Sequence, residues 1–247
     1  RLAFMWLSCF FAFAIAAFIL ARQSYKNYQE REEVERYRKE MTNALAHDLK
    51  TPLSIVSGYA QNLIENVQTE KREHYAANIQ ANVERMDRIV QEMLDLSRLE
   101  ANSFQIKFGE VSLSEVCGKI ISRYKEIWQE KSIKTHLEGD AIIKADPVLM
   151  EKVIDNFFVN ALDNTPNGGR ISIRISETIL EFYNSGSYIP EEKIKDIWEP
   201  YQKVDPSRNT KGTGLGLAIA RTILEMHGFS HGAKNSGEGV IFWFKFA

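Results

Sequence analysis

The chain has 247 residues, of which 44% are hydrophobic and 26% charged, and its formal net charge is −2. This length is sufficient for one or two domains with a sizeable core. The near-neutral charge gives no global attraction to nucleic acid, so no nucleic-acid partner is expected. Cys9 and Cys117 lie in unrelated contexts, which gives no basis for a disulfide framework and fits a reducing compartment for the soluble part.

Residues 2–21 form a run without any charged side chain. As a helix this run would rise ~30 Å, the thickness of a hydrocarbon core. A secretory signal peptide is the alternative, but it would have a shorter apolar region and a small-residue cleavage site. We therefore expect a transmembrane helix at residues 1–21 and a location in the cell membrane. Basic residues follow the run, so we expect the part of the chain on its C-terminal side to be cytoplasmic.

Helical patterns continue through a linker helix, residues 22–40, and a hairpin, residues 41–103. In the second helix of the hairpin, from about Lys71 to Arg98, apolar residues recur every four and three positions, as in a coiled-coil seam. A short connection at residues 67–69 predicts that the two helices are antiparallel. One hairpin cannot bury such seams alone, so we predict a homodimeric four-helix bundle. Packing of the hairpin on the rest of its own chain is the alternative.

His47 is predicted to lie on the polar face of the first hairpin helix. At about 100° per residue it falls nearly opposite the apolar stripe that contains Leu45, with Thr51 beside it. Asp48 follows directly, and Pro52 removes a backbone N–H from the helix. A histidine in this position is either an ordinary surface residue or a reactive group, and this stretch alone does not decide between them.

Residues 104–247 combine helical and strand patterns and predict an α+β sandwich with helices around a mostly antiparallel sheet. Predicted helices cover residues 113–131, 147–162 and 214–227. Predicted strands cover residues 133–137, 141–145, 170–176, 178–183 and 240–246. Asp146 is expected to cap the second of these helices, because an acid followed by proline is typical of a helix start.

Asn156 and Asn160 lie four residues apart on the helix predicted at residues 147–162, so they share one face. Asparagine is a poor helix former, and two on one face indicate a specific role. Amide oxygens suit Mg²⁺, which also binds water and phosphate oxygens. A solvated helix face is the alternative.

A glycine-rich segment precedes the helix at residues 214–227 and consists of Gly212, Thr213, Gly214, Leu215 and Gly216. Backbone N–H groups in such a segment, followed by a helix N-terminus, can bind an anion. Its spacing matches neither the Walker P-loop nor the dinucleotide-binding motif, and a flexible hinge is the alternative.

About 25 residues with little periodicity separate Gly186 from Gly212, which indicates a mobile lid over a ligand. Lys203 and Arg208 in this stretch would then reach phosphate groups. Ordinary surface charges are the alternative.

Five stretches, taken together and in order, resemble the sensor histidine kinases of bacterial two-component systems. The stretches at residues 47–53, 156–161, 184–186, 198–201 and 212–217 are similar to the H, N, G1, F and G2 boxes of that family, respectively. The similarity covers residues 35–247.

The resemblance implies a dimerising phosphoacceptor hairpin and an ATP-binding sandwich of the gyrase–Hsp90–histidine-kinase type. It implies that His47 takes the γ-phosphoryl group of Mg-ATP and passes it to an aspartate on a response-regulator receiver domain. Asp48 would orient the ring or accept its other proton. Asn160, with Asn156 nearby, would hold Mg²⁺. Thr51 would position water for dephosphorylation of the response regulator.

The chain departs from the family pattern at three places. Asn184 stands where the G1 box has an aspartate that accepts from the adenine amino group, and its amide oxygen lacks a charge. Gly186 is retained, but Tyr188 replaces the second glycine of that box. Asp163 and Asn164 replace a lysine and a tyrosine. These departures suggest the alternative of a nucleotide-poor variant acting mainly as a response-regulator phosphatase or binding scaffold.

Overall fold

The computed structural model describes residues 2–100, 105–202 and 212–246. The chain divides into two compact units, Arg1–Lys50 and Thr51–Ala247. The first helix, α1 (Leu2–Ile64), has 63 residues and includes Pro52. The first unit consists of the part of α1 that ends at Lys50.

The transmembrane helix predicted at residues 1–21 is wrong. No helix in the described ranges combines the length and the apolar character that crossing a membrane requires. The apolar run is not a separate element, because it opens α1, and α1 continues through the strongly charged residues 22–50.

The second unit begins with the end of α1 and a connection to α2 (Arg72–Glu100). A 3₁₀ turn, Thr69–Lys71, precedes α2, and Asn66 and Gln68 have φ values of 56° and 44°. This left-handed backbone reverses the chain within a few residues, as the predicted short connection requires.

The remainder of the second unit contains helices and two sheets. Its helices are α3 (Leu113–Arg123), α4 (Lys125–Glu130), α5 (Pro147–Asn164) and α6 (Gly216–Met226). Its strands are β1 (Gly109–Ser112), β2 (Lys134–Glu138), β3 (Ile142–Ala145), β4 (Arg170–Ile175), β5 (Ile179–Ser185), β6 (Ser230–Ser236) and β7 (Gly239–Lys245). In the five-stranded sheet the order is β2-β4-β5-β7-β6, while β1 and β3 form a two-stranded sheet. Only the β2–β4 pair of the larger sheet is parallel.

Aromatic side chains fill the space between the larger sheet and α5. Phe157 of α5 is fully buried, and its ring centroid lies 5.7 Å from that of Phe182 on β5 and 6.0 Å from that of Trp198. Along β5, alternate residues are buried, as a strand with one covered face requires. This packing fixes the positions of α5 and β5, which carry the predicted nucleotide residues.

Three features differ from the predicted elements. The helix predicted at residues 113–131 is broken at Tyr124, which leaves helical geometry at φ −99° and ψ 17°. Its hydroxyl donates to the Asp155 carboxylate at 3.2 Å, a tertiary contact that periodicity does not reveal. Strands β1 and β6 were not predicted, because β1 is short and β6 contains none of the β-branched or aromatic residues that favour strands.

Candidate functional site

His47 is strongly exposed on α1, with 81% of its side chain accessible to solvent. Its Nδ1 lies 3.3 Å from Oδ1 of Asp48, whose own side chain is 24% exposed. A carboxylate at this distance accepts the Nδ1 proton, which places the lone pair of a neutral ring on Nε2. The structure therefore presents a nucleophilic nitrogen to solvent. Thr51, four residues further on, is also exposed.

Helix α5 presents the predicted asparagine face. Asp146 caps the helix, accepting hydrogen bonds from the N–H groups of Val148 and Leu149 as predicted. Asn164 donates from Nδ2 to Oδ1 of Asn160 at 3.0 Å. This bond identifies the oxygen of the Asn160 amide and leaves that oxygen with a second lone pair.

Asn156 lies against the start of α6. A Cβ atom added at Gly216 would lie 2.8 Å from Oδ1 of Asn156, so only glycine allows this approach. The Nδ2 group of Asn156 is buried and has no hydrogen-bond partner among the described residues. An unpaired buried donor is costly, and a ligand oxygen would satisfy it. The structure thus brings the asparagine face and the glycine-rich segment together.

The glycine-rich segment contacts the F-box region through its backbone. Gly214 has φ +76°, and its carbonyl oxygen accepts from the N–H of Tyr201 at 2.9 Å. Thr213 Oγ1 accepts from the N–H of Leu215 at 3.2 Å. Helix α6 has no side-chain cap and no acidic residue in its first turn. Its first N–H groups therefore suit an anion.

Asn184 is almost completely buried on β5, with 1% of its surface exposed. Its Nδ2 donates to Oγ of Ser187 at 2.6 Å. Gly186 has φ +78°, and a Cβ atom there would lie 2.6 Å from the ring of Pro166. Any larger residue at this position would combine backbone strain with a clash. The G1-box turn is therefore held in one position by packing.

Asp163 and Gly212 are neighbours: a Cβ atom at Gly212 would lie 4.0 Å from Oδ2 of Asp163. This acidic replacement for lysine thus faces the glycine-rich segment. Lys203 and Arg208 lie outside the described residues.

Two contacts of α2 were not predicted. The Thr213 hydroxyl donates to the Glu92 carboxylate, and Lys152 of α5 forms an ion pair with Asp95. Burial raises the pKa of Glu92, although the Thr213 hydrogen bond and the charge of Arg88 favour its ionised form. Residues 92 and 213 are 121 positions apart, so no local pattern could have shown this contact.

The residues present fit a nucleotide with a hard cation. The amide oxygen of Asn160 on α5 suits a hard cation. The buried Nδ2 group of Asn156 can donate to a ligand oxygen, and the uncapped start of α6 suits phosphate. Asn156 contacts Gly216 and α5 packs against α6, so packing brings the segments that carry these groups together.

Two family models match the chain. The His Kinase A (phospho-acceptor) domain matches residues 37–102. The histidine kinase-, DNA gyrase B- and HSP90-like ATPase family matches residues 145–247.

Similar proteins are sensor kinases. The sensor protein KdpD of Clostridium acetobutylicum is 30% identical over 246 residues, which cover 94% of this chain and 27% of KdpD. The nucleotide-free catalytic domain of histidine kinase ThkA is 30% identical with a TM-score of 0.51, over 57% of this chain and 95% of that domain. ThkA in complex with the response regulator protein TrrA is 26% identical with a TM-score of 0.72, over 90% of this chain and 65% of that one.

The chain belongs to the sensor histidine kinases of two-component systems, as its five sequence boxes predict. It spans between 27% and 50% of the length of curated relatives that it matches.

Proposed function

We propose that this chain phosphorylates itself on His47 with ATP and then transfers the phosphoryl group to an aspartate of a response regulator. The observation that carries the proposal is the exposed His47 ring, with Asp48 3.3 Å from Nδ1, in a chain that also matches the ATPase family. His47 must be accessible first to ATP bound at a separate site and then to the aspartate of the partner. An exposed side chain meets both requirements.

In the first step, the Nε2 lone pair of His47 forms a bond to the γ-phosphorus, the bond to the β–γ bridging oxygen breaks, and ADP leaves. Asp48 holds the Nδ1 proton and stabilises the positive charge that develops on the ring. In the second step, a carboxylate oxygen of the partner's aspartate bonds to phosphorus and the N–P bond breaks. The neutral imidazole is thereby restored.

Asn160 and Asn156 are proposed to hold Mg²⁺, which draws charge off the phosphate groups when bound. Asn184 would accept from the adenine amino group, and Gly186 would let the adjacent turn approach the base. Residues 212–216 would bind the phosphates through backbone N–H groups. Lys203 and Arg208 would add positive charge.

A homodimer is part of the proposal. Several apolar side chains of the hairpin are substantially exposed in the single chain: Leu53, Ile55, Val83, Val90 and Leu94. Pairing of two hairpins, at residues 41–103, would cover them. A response-regulator receiver domain is the proposed partner, and the support is that the similar protein ThkA has a structure in complex with the response regulator protein TrrA. Residues 22–40 would form the signalling helix that transmits a signal to the hairpin. Residues 104–247 would bind ATP in the cytoplasm.

Response-regulator dephosphorylation is the second proposed activity, with Thr51 positioning the attacking water. The exposed position of Thr51, four residues after His47, supports it. The variant acting mainly as a phosphatase or scaffold remains the alternative, and Asn184 and Asp163 are the residues that favour it. Micromolar Mg-ATP affinity would decide for the kinase, and millimolar affinity for the alternative.

Substitution of His47 by glutamine tests the kinase proposal. We expect His47→Gln to abolish ³²P incorporation from [γ-³²P]ATP, because no nucleophilic nitrogen remains. His74→Gln, at another exposed histidine of the hairpin, is the matched control and should label normally. Both variants should retain the wild-type molar mass by light scattering. Labelling that persists in His47→Gln would overturn the assignment.

A further inference from the structure

One face of α2 is engaged with the ATPase part of the second unit. Glu92 and Asp95 are three residues apart and share this face. Asp95 pairs with Lys152, and α2 packs against α6. Ile89 and Leu96, each 1% exposed, complete the same face. The C-terminal half of α2 is therefore docked through both apolar packing and charge.

Glu92 meets the glycine-rich segment at Thr213. The Thr213 hydroxyl receives the Leu215 N–H on its oxygen and gives its one proton to the Glu92 carboxylate. The proposed function assigns this segment to the phosphates of ATP. A carboxylate from a distant helix thus occupies a hydrogen-bond donor of a segment suited to anions.

The surroundings of Glu92 contain charges of both signs. Burial, the largest effect, and Asp95 oppose its ionised form and raise its pKa, whereas Arg88 and Lys152 favour that form. The contact with Thr213 adds a hydrogen bond that is strongest when the acceptor is charged. Glu92 is therefore a partly desolvated carboxyl group that is hydrogen-bonded to Thr213, just before α6 begins.

We infer that Glu92 acts as an intramolecular anion that competes with the nucleotide phosphates for Thr213 and the glycine-rich segment. This inference rests on the proposed function. A hydroxyl has one proton, so it cannot donate to Glu92 and to a phosphate oxygen at once. Two anions at one place in a partly buried site also repel each other strongly.

The competition couples two events. Phosphate binding displaces Glu92 and so weakens the docking of α2, and docking of α2 weakens phosphate binding by the same factor. Only ligands that carry phosphate groups should have an affinity that depends on this coupling. Adenosine has the base and the sugar but no phosphate, so its affinity should not depend on Glu92.

Calorimetry with the whole chain and two ligands provides the test. Glu92→Gln keeps the size and an acceptor oxygen but removes the charge. We expect it to lower the Kd of Mg-ATP about tenfold and to leave the Kd of adenosine within about twofold. Glu84→Gln is the matched control. Glu84 is an exposed acid on the same helix, its carboxylate accepts a hydrogen bond from Gln80 at 3.0 Å, and its substitution should change neither Kd.

Each result is decisive. An unchanged Kd of Mg-ATP in Glu92→Gln, with measurable binding in both proteins, overturns this inference and leaves the proposed function intact. An equal gain for ATP and adenosine shows general loosening of the docked helix and also overturns it. Absence of ATP binding in wild type and variant refutes the proposed function, and this inference falls with it.

Discussion

His47, the proposed phosphoryl acceptor, and Asn184, the proposed adenine-binding residue, differ strongly in their exposure to solvent. The His47 side chain is 81% exposed, and its Nδ1 lies 3.3 Å from the Asp48 carboxylate. Asn184 is 1% exposed and lies on β5, hydrogen-bonded between β4 and β7. One residue is positioned by a helix alone, and the other by a packed sheet.

The difference teaches how access and rigidity are divided in this chain. A phosphoryl acceptor must be reached by two different groups, so packing around it would obstruct its role. A nucleotide site gains from donors and acceptors that are fixed before the ligand arrives. Substitutions of exposed reactive groups should therefore change activity without changing stability, whereas substitutions in the packed scaffold should change stability first.

After His47→Gln, Asn160→Ala should show the largest effect, and it tests whether the half-buried Asn160 acts as a reactive group or as part of the packed scaffold. We expect autophosphorylation to fall at least about a thousandfold, equivalent to about 4 kcal/mol, because the proposed Mg²⁺ site loses its oxygen ligand. The free energy of unfolding should change by less than about 0.5 kcal/mol, since alanine is the better helix former. Initial rates of ³²P incorporation and urea denaturation measure the two quantities.

Asn167→Ala, at an exposed asparagine in the turn before β4, is the matched control and should label at the wild-type rate. Wild-type labelling by Asn160→Ala at saturating Mg²⁺ would remove Asn160 from the metal role. A large loss of stability would instead assign Asn160 to the packed scaffold and would contradict the proposed separation between reactive groups and scaffold.

Sequence alone predicted the parts of the fold whose signals are local. The start of α5 was predictable because Asp146 and Pro147 form an explicit helix start, and β5 and β7 because their residues alternate. Strand β6 was missed because its edge position requires few apolar residues. The apolar run at residues 2–21 was misjudged as a membrane span: it opens α1, which continues through the strongly charged residues 22–50, and no described helix meets the requirements for crossing a membrane.

The candidate site divides in the same way. The positions of Asn156 and Asn160 on one helix face follow from spacing alone. Their contact with Gly216, and the contact of Glu92 with Thr213, depend on how distant segments pack. Such contacts leave no periodic pattern in the sequence, so only the structure could reveal them.

Asp146→Ala should show the next largest effect and tests the scaffold. Asp146 accepts from the N–H groups of Val148 and Leu149 and, through Oδ2, from that of Lys107 at 2.9 Å. Removal of a helix cap lowers the free energy of unfolding by about 1–2 kcal/mol. Asp146→Asn retains an acceptor and should lose less. Denaturant titration at pH 7 measures both, and equal losses would contradict the capping role.

The same carboxylate gives a pH dependence. Burial would raise the pKa of Asp146, but hydrogen bonds from the N–H groups of Lys107, Leu149 and Val148 outweigh it and hold the pKa below its ordinary value. The stabilisation is therefore complete above the ordinary carboxyl pKa of about 3.9 and is lost as pH falls through the lowered one. The stability gap between wild type and Asp146→Ala should shrink at low pH, and a constant gap would exclude this linkage.

Lys234→Gln should show the smallest effect and sharpens the contrast on the sheet that carries Asn184. Lys234 of β6 pairs with Glu181 of β5 at 2.9 Å, across β7, and the two side chains are 53% and 19% exposed. Because solvent and salt screen such a pair, we expect a coupling free energy below about 1 kcal/mol. A double-mutant cycle with Glu181→Gln isolates this term. A coupling above that limit would mean that an exposed ion pair stabilises the sheet that carries Asn184 as strongly as the Asp146 cap stabilises α5. Exposed groups would then contribute to stability as much as the packed scaffold does, contrary to the proposed separation.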